Sequence, residues 1–415
     1  MRVLWLSHFV PYPPSGGALQ RSHNLLRQAA RAHEVHLVAL NQGALLGSPE
    51  AVAEAVRLLS DVCASVRVFP NAFDGSRVGW AWMAARGFWR STPYDLNWLE
   101  QPVLAAYLTP LTERLSFDLV HVDTLGLMPY ASVRPRVPAI LNHHNVESAM
   151  MRRRADHERG LRRLYCRHDA EKLERYERRA CRQAAVNITV STLDAERLRA
   201  LVGELETAVV ENGVDVEYFR PVPDSRPRAG NLVFVGTMNW YPNQDAMRYF
   251  LRDVWPRLLA DNPERSLTVV GRDPPTEVVA AARDPRVRAP GFVPDVRTYL
   301  AAAAVYVCPI RDGGGTRLKV LDALAMAKPL VATGLAVEGL HLDEERHYLR
   351  AETPDEFVRQ VGRLERDSEL GRRLGEAGRR LVETRYSWDV IGEKLLQAYD
   401  AARVEPRGRV SREAS

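Results

Sequence analysis

The sequence predicts an α/β chain made of two doubly wound parallel-sheet domains, and three observations carry that expectation. At 415 residues the chain exceeds the ~250–300 residues over which a single core grows. Short, uniformly apolar segments alternate with helical ones, the order that builds parallel strands with crossover helices. Between the two runs of such segments lies PVPDSRPRAGN, a polar, proline-rich stretch with the composition of a connector.

Composition narrows the class further. With 46% hydrophobic and 26% charged residues the chain is globular rather than disordered, and no apolar run approaches the ~20 residues of a membrane span. The opening MRVLWLSHFVPYPPSGG meets a histidine, prolines and glycines too early for a signal peptide. Cys63, Cys166, Cys181 and Cys308 form no paired or metal-ligand spacing, which fits a reduced, cytoplasmic setting. A net charge of +5 does not by itself point to nucleic acid.

In chain order, Val3 to Ser7 is apolar on both faces, as a parallel strand between helix layers requires. Gly16 and Gly17 close the loop after it, and a helix follows with Leu19, Leu25 and Leu26 on its buried side. This spacing is not the GxGxxG of a dinucleotide site. Further strands are expected at Val35–Leu40, Val66–Phe69, Leu119–Val122, Val137–Leu141 and Val186–Val190. The aromatic group Trp80, Trp82, Phe88, Trp89 and Trp98 has two readings, core packing or an acceptor-contacting surface. The strand at Val137–Leu141 ends in NHHNVES, and polar residues at such carboxyl ends face ligand crevices, which selects His143, His144, Asn145 and Glu147. From Met151 to Arg182, arginines outnumber acids while Leu161, Leu164, Tyr165, Leu173, Tyr176 and Ala180 recur at three and four residues. One long helix is expected there, either with a solvated charged face over a packed stripe or resting on anionic lipid.

In the second domain, strands are expected at Asn231–Gly236 and Leu267–Gly271, and the segment from Cys308 to Thr333, CPIRDGGGTRLKVLDALAMAKPLVAT, organises the rest. Gly313, Gly314 and Gly315 let the backbone turn sharply and bring N–H groups to a ligand. A helix directly after them offers unpaired N–H groups and a positive dipole end to phosphate oxygens. Arg317 and Lys319 add full charges, and Asp322 shares a helical face with Lys319. Two residues apart on a regular helix, Arg317 and Lys319 diverge by about 200°, so both reach one diphosphate only if Arg317 precedes the first full turn. The loop therefore suits a sugar nucleotide, or else is a tight connection whose Lys319 and Asp322 form a surface ion pair.

The order strand, GGGT, basic pair, acid, AMAKPLVAT resembles the donor-binding segment of GT-B glycosyltransferases, in the large retaining group called family 4. That group usually carries two acids with seven residues between them, in a pattern such as EGFGLPxLEAMA. Asp322 matches the second acid, and Gly314 stands where the first belongs, so GGGTRLK is a variant loop. VVENGVDVEYFRP also resembles the family, with Asn212 and Gly213 in its turn, as do VSTLDAERL, GFVPDVRTYLAAAAVYVCPI and YSWDVIGEKLLQAYD. After the strand Asn231–Gly236 the family carries an arginine and a lysine for the donor diphosphate, where this chain has Thr237, Met238 and Asn243. Arg317 and Lys319 must then carry that charge.

The resemblance implies two Rossmann-like domains facing a central cleft. Its boundaries are 1–211 for an acceptor-side domain, 212–230 for a linker and 231–385 for a donor-binding domain. Residues 386–402 form a helix crossing back to the first domain, and 403–415 a disordered tail. It implies a metal-independent, retaining transfer of a sugar from a nucleoside diphosphate sugar, with no cofactor beyond that co-substrate, in cell-surface polysaccharide or glycolipid synthesis. Catalytic residues would be Arg317, Lys319 and His144. Gly313, Gly314, Gly315, Thr316, Asp322, Val293 and Gly17 would bind donor, with Gly16, Arg21, His143, Glu147 and Glu338 in the cleft. Acceptors would be glycan, lipid-linked or small molecules, with peripheral contact to the inner membrane face through 149–182 and no nucleic-acid partner. Rival readings are a sugar-nucleotide epimerase and a non-catalytic sugar-nucleotide binding module.

Overall fold

A computed structural model describes residues 1–14, 16–43, 45–71, 92–131, 137–222 and 227–404. The chain divides into two compact units, Met1–Glu211 with Ile391–Ser415, and Asn212–Val390. Each is a parallel sheet between helices.

The first unit contains strands β1 (Arg2–Ser7), β2 (Glu34–Asn41), β3 (Ser65–Pro70), β4 (Leu119–Val122), β5 (Ala139–Asn142), β6 (Val186–Thr189) and β7 (Thr207–Val209). They pair throughout in parallel, in the order β3-β2-β1-β4-β5-β6-β7. Strand order reverses direction between β1 and β4, so their carboxyl ends flank a topological switch point, where open α/β sheets bind ligands. Leu4, Leu6, Val120, Val122 and Leu141 pack with Leu125, Leu127 and Leu173 in the core. Trp98 packs half-buried against this core, while Trp80, Trp82, Phe88 and Trp89 lie outside the described residues.

Two expectations in this unit are corrected. The single helix expected over 151–182 is two, Glu147–His157 and Gly160–Gln183. Glu158 and Arg159 take extended conformations between them, and Gly160 has φ +58°, so the helical ladder is interrupted. The apolar stripe is not uniformly packed: Leu173 and Ala180 are buried, but Leu161 and Leu164 are 84% and 63% exposed. The last helix spans Trp388–Val404, so Arg403, expected in the tail, is helical, and 405–415 lie outside the described residues. Within the first unit that helix buries Tyr399, whose hydroxyl meets His121 Nδ1 at 3.0 Å, and pairs Lys394 with Glu211 at 2.7 Å.

The second unit contains β8 (Asn231–Val235), β9 (Ser266–Val270), β10 (Val287–Gly291), β11 (Val305–Cys308), β12 (Leu330–Ala332) and β13 (Leu349–Arg350). Their order is β10-β9-β8-β11-β12-β13, again all parallel. The reversal here falls between β8 and β11, and the glycine loop follows β11. Gly271 allows β9 to lie tightly against β8, since a Cβ there would stand 1.9 Å from the Gly236 carbonyl oxygen. Among the described residues no helix is long and apolar enough to cross a membrane.

Candidate functional site

In the loop after β11, Gly313 has φ +112° and Gly315 φ +68°, backbone conformations that side chains with a Cβ strain to adopt. The helix does not start straight after the glycines. It spans Leu318–Ala325, with Thr316 extending the loop and Arg317 at the N-cap in an extended conformation. Arg317 thus precedes the first turn, which meets the geometric condition for it and Lys319 to serve one ligand. Its guanidinium is largely buried and Nη1 donates to the carbonyls of Gly314, at 2.5 Å, and Gly315, so Arg317 clasps the loop that it charges. The Gly313 N–H donates to Asp312 Oδ1 at 2.6 Å. Asn212, from NGVD, donates through Nδ2 to Thr316 Oγ1 at 2.7 Å. That motif therefore holds the glycine loop as well as turning the chain.

Lys319 does not pair with Asp322. Its ammonium donates to Asn243 Oδ1 and lies 4.8 Å from the centre of the Phe234 ring. Asn243 in turn donates to the Thr237 carbonyl at 2.7 Å. A Cβ at Gly236 would stand 2.7 Å from Lys319 Nζ, so the glycine ending the β8 segment makes room for the ammonium. Lys319 thereby delivers a cation through space to the carboxyl end of β8, where the family pattern places an arginine and a lysine along the chain. Burial pulls the Lys319 ammonium down to about 8. Burial likewise pushes the Asp322 carboxyl up to about 8, with Lys319 pulling the other way.

Two further strand ends complete this face of the second unit. After β10, Phe292 is exposed with the Arg272 guanidinium 5.0 Å from its ring centre, and Val293 beside it is half-buried. Glu338 follows the short turn Leu335–Val337 beyond β12.

In the first unit, the residues expected in a ligand-facing position separate into two groups. Gly16, at φ +100° with open space where a Cβ would project, and Gly17 begin the helix Gly17–Ala32 beyond β1. His144 follows β5, its side chain 16% exposed, and Nε2 lies 3.2 Å from both Asp123 Oδ1 and the Asp123 carbonyl. Glu147 accepts from Thr124 Oγ1 at 3.2 Å, and its N–H donates to the buried Glu177 at 3.0 Å. Arg21 and His143, by contrast, are buried within the unit. Arg21 is 1% exposed and donates to the Glu211 carbonyl at 3.0 Å and to Asn142 Oδ1 at 2.9 Å. His143 points into the core, 3% exposed, with Nε2 at 3.2 Å from Asn187 Oδ1, and burial pulls its imidazole down to about 4. Successive residues leaving a strand point to opposite sides, so of the two adjacent histidines one faces inward.

Sequence reasoning passed over Asp123, the bond from Lys319 to Asn243 and the loop-holding role of Asn212. Asp123 follows β4 directly, so the strand-end rule that selected NHHNVES also applies to it. Asn243 carries no such signal, because only folding brings it to Lys319.

Residues 15–218 match a family model described as Glycosyltransferase Family 4, and residues 229–367 one described as Glycosyl transferases group 1. A GDP-mannose-dependent monoacylated alpha-(1-6)-phosphatidylinositol monomannoside mannosyltransferase of Corynebacterium glutamicum is 27% identical over 176 residues. The match covers 37% of this chain and 42% of that relative, so the chain spans less than half of the relative's length. Among solved structures, sucrose-phosphate synthase from Thermosynechococcus elongatus superposes with a TM-score of 0.73 at 16% identity, covering 96% of this chain and 98% of that one. Anabaena HepE in complex with UDP-glucose does so with a TM-score of 0.66 at 14% identity, covering 97% and 100%.

Proposed function

The chain belongs to the group 1 glycosyltransferases of GT-B fold, and we propose that it moves a hexosyl group from a nucleoside diphosphate sugar to its acceptor with the anomeric configuration retained. The observation that carries this reading is the Lys319 ammonium, set on Asn243 at the end of β8 beside the glycine loop. The difficult step is departure of the diphosphate, as negative charge builds on its oxygens. Preorganised donors aimed at that charge are worth on the order of 10²–10³ each in rate. Lys319, Arg317 and the loop N–H groups supply them, and in this reading no divalent cation takes part. Asp322 accepts hydrogen bonds from the ribose hydroxyls, and the nucleobase lies along the backbone at Val293. In the first unit His144 meets the transferred sugar. Retention follows a same-face displacement in which the leaving phosphate helps to deprotonate the acceptor hydroxyl.

The acceptor in this reading is a glycolipid or lipid-linked glycan. Two observations support it. The Corynebacterium relative is by its description a phosphatidylinositol monomannoside mannosyltransferase. Exposed Leu161 and Leu164 also stand among exposed Arg159, Arg162, Arg163 and Arg167 at the start of the helix Gly160–Gln183. Apolar side chains between arginines favour insertion at an anionic bilayer surface, on the cytoplasmic side.

A panel of UDP-, GDP- and dTDP-sugars against wild type and Arg317→Ala tests the transfer reading, following thermal shift and slow release of nucleoside diphosphate. Selective stabilisation by one nucleotide, with release that is lost in the variant and insensitive to chelators, supports it. Stabilisation by none would overturn it in favour of a protein that has lost its donor. An inverted product would overturn the retaining mechanism, and failure to bind anionic vesicles at low salt would overturn the lipid contact.

A further inference from the structure

The carboxylate of Asp123 is wholly buried at the carboxyl end of β4, yet it is ringed by side chains from three other elements. Ser22 Oγ, from the helix Gly17–Ala32, donates to Oδ2 at 2.5 Å, and Ser7 Oγ, from β1, at 3.5 Å. Asn142 Nδ2, at the end of β5, donates to Oδ1 at 2.7 Å. His144 Nε2 stands 3.2 Å from the same Oδ1 and 3.2 Å from the carbonyl oxygen of Asp123. Two acceptors on one ring nitrogen require the proton there, because an unprotonated Nε2 would face both oxygens with its own lone pair. In the neutral ring Nδ1 then carries the lone pair, and among the described residues no hydrogen bond reaches it. The ring is also the one member of the cluster with appreciable exposure, at 16%.

Arg21 explains why the arrangement holds a single orientation. Its Nη2 donates to Asn142 Oδ1 at 2.9 Å, which turns the amide so that Nδ2 must face Asp123. Arg21 itself is tied to the Glu211 carbonyl at 3.0 Å. Burying a guanidinium and a carboxylate in one core costs several kcal/mol unless their hydrogen bonds are met. Here the bonds run as a chain, Arg21 to Asn142 to Asp123 to His144, and end on the most exposed ring. Burial opposes ionisation of Asp123, but its hydrogen bond and attraction to His144 hold the carboxyl below its usual range. Burial pulls the neighbouring His8 down to about 4, leaving it neutral at pH 7.

We infer that Asp123 is a positioning residue that fixes His144 in the Nε2–H tautomer, so that Nδ1 accepts a hydrogen bond from a hydroxyl of the sugar being transferred. The inference rests on the reading that His144 meets that sugar, and its test separates the two. Ring nitrogens of ¹⁵N-histidine-labelled protein are observed in wild type, Asp123→Asn and Asp123→Ala, with His144→Asn assigning the signal, and donor turnover is measured on the same samples. The expected wild-type spectrum has the proton on Nε2 and a lone pair on Nδ1. In the variants a mixture of tautomers is expected, with kcat falling 10- to 100-fold and the donor KM changing less than threefold. The double variant Asp123→Asn with His144→Asn should be no slower than His144→Asn alone, because a residue acting through His144 has nothing left to act on. A wild-type ring with the proton on Nδ1, or variants that keep the wild-type tautomer and rate, would overturn the inference. Absence of turnover in wild type would count against the functional reading instead, while the ring spectra would still decide the tautomer. Should Asp123→Ala fail to fold, Asp123→Asn retains the shape while replacing the charged acceptor facing Nε2 with a weaker, neutral one, and still reads the shift in tautomer balance.

Discussion

Replacing Lys319 by alanine tests the proposed chemistry most directly. The ammonium stands at the end of β8, held by Asn243 beside Gly236, and the residues from Thr237 to Asn243 include no lysine or arginine. A phosphate oxygen at ~4 Å would interact with it by about 4 kcal/mol at an effective dielectric of ~20, part of which is offset by desolvation of the diphosphate. Single preorganised donors removed from comparable sites cost about 2.7–4 kcal/mol. The expected loss in kcat/KM for donor-dependent nucleotide release is therefore on the order of 10²–10³-fold. Folding should survive, because burying the ammonium is itself unfavourable and Asn243 keeps its bond to Thr237. The pH profile adds an independent reading. Since burial holds Lys319 at about 8, its charge is present below that value and lost as pH rises through it, so wild-type donor affinity should fall above about pH 8. The variant should lack that limb. Nucleotide release at fixed donor from pH 6 to 10, with thermal unfolding as the folding control, measures both. A loss below threefold, with the wild-type pH profile intact, would refute a phosphate role for Lys319.

Asp322→Asn should weaken donor binding by about 10-fold, roughly one charge-assisted hydrogen bond, and should abolish the rise in affinity expected up to pH 8 as the wild-type carboxyl ionises; nucleotide titration across that range checks it. Because the folded value lies above the unfolded one, the folded state binds the extra proton between about pH 4 and 8 and loses stability as pH rises through that window, so the same variant should melt higher at pH 8 than wild type. Gly315→Ala, at φ +68°, should cost about 1–2 kcal/mol of strain and reduce nucleotide release, whereas Gly314→Ala, outside the left-handed region, should perturb the loop less; thermal melts and release assays on both compare them. Arg265→Ala should destabilise the second unit by about 3–5 kcal/mol, seen as an early melt, because the guanidinium is 1% exposed and bonds Glu365 at 2.6 Å, Asp261 at 2.7 Å and the Leu258 carbonyl at 2.6 Å.

What the sequence by itself determined follows from signals that are local along the chain. Strand positions such as Leu119–Val122 were legible because parallel strands buried on both faces are predominantly apolar, here three of four residues with the buried His121 between them. The triple glycine was legible because two of its members occupy conformations that other residues resist. The segment NGVD was recognisable as pattern, though its hydrogen bond to Thr316 was not. The tertiary structure decided everything that depends on which residues meet across strands. It set Lys319 on Asn243, 76 positions away, and so brought an ammonium from another element to the end of β8. Arg21 and Asp123 were likewise invisible as partners, because a charge reads the same in sequence whether it faces water or completes a buried hydrogen-bond chain. The break at Glu158 to Gly160 escaped notice because the arginine-rich composition continues across it, and only packing reveals that Leu161 and Leu164 have no core to face. Periodicity records which residues share a face of a helix, while the fold alone determines what that face meets.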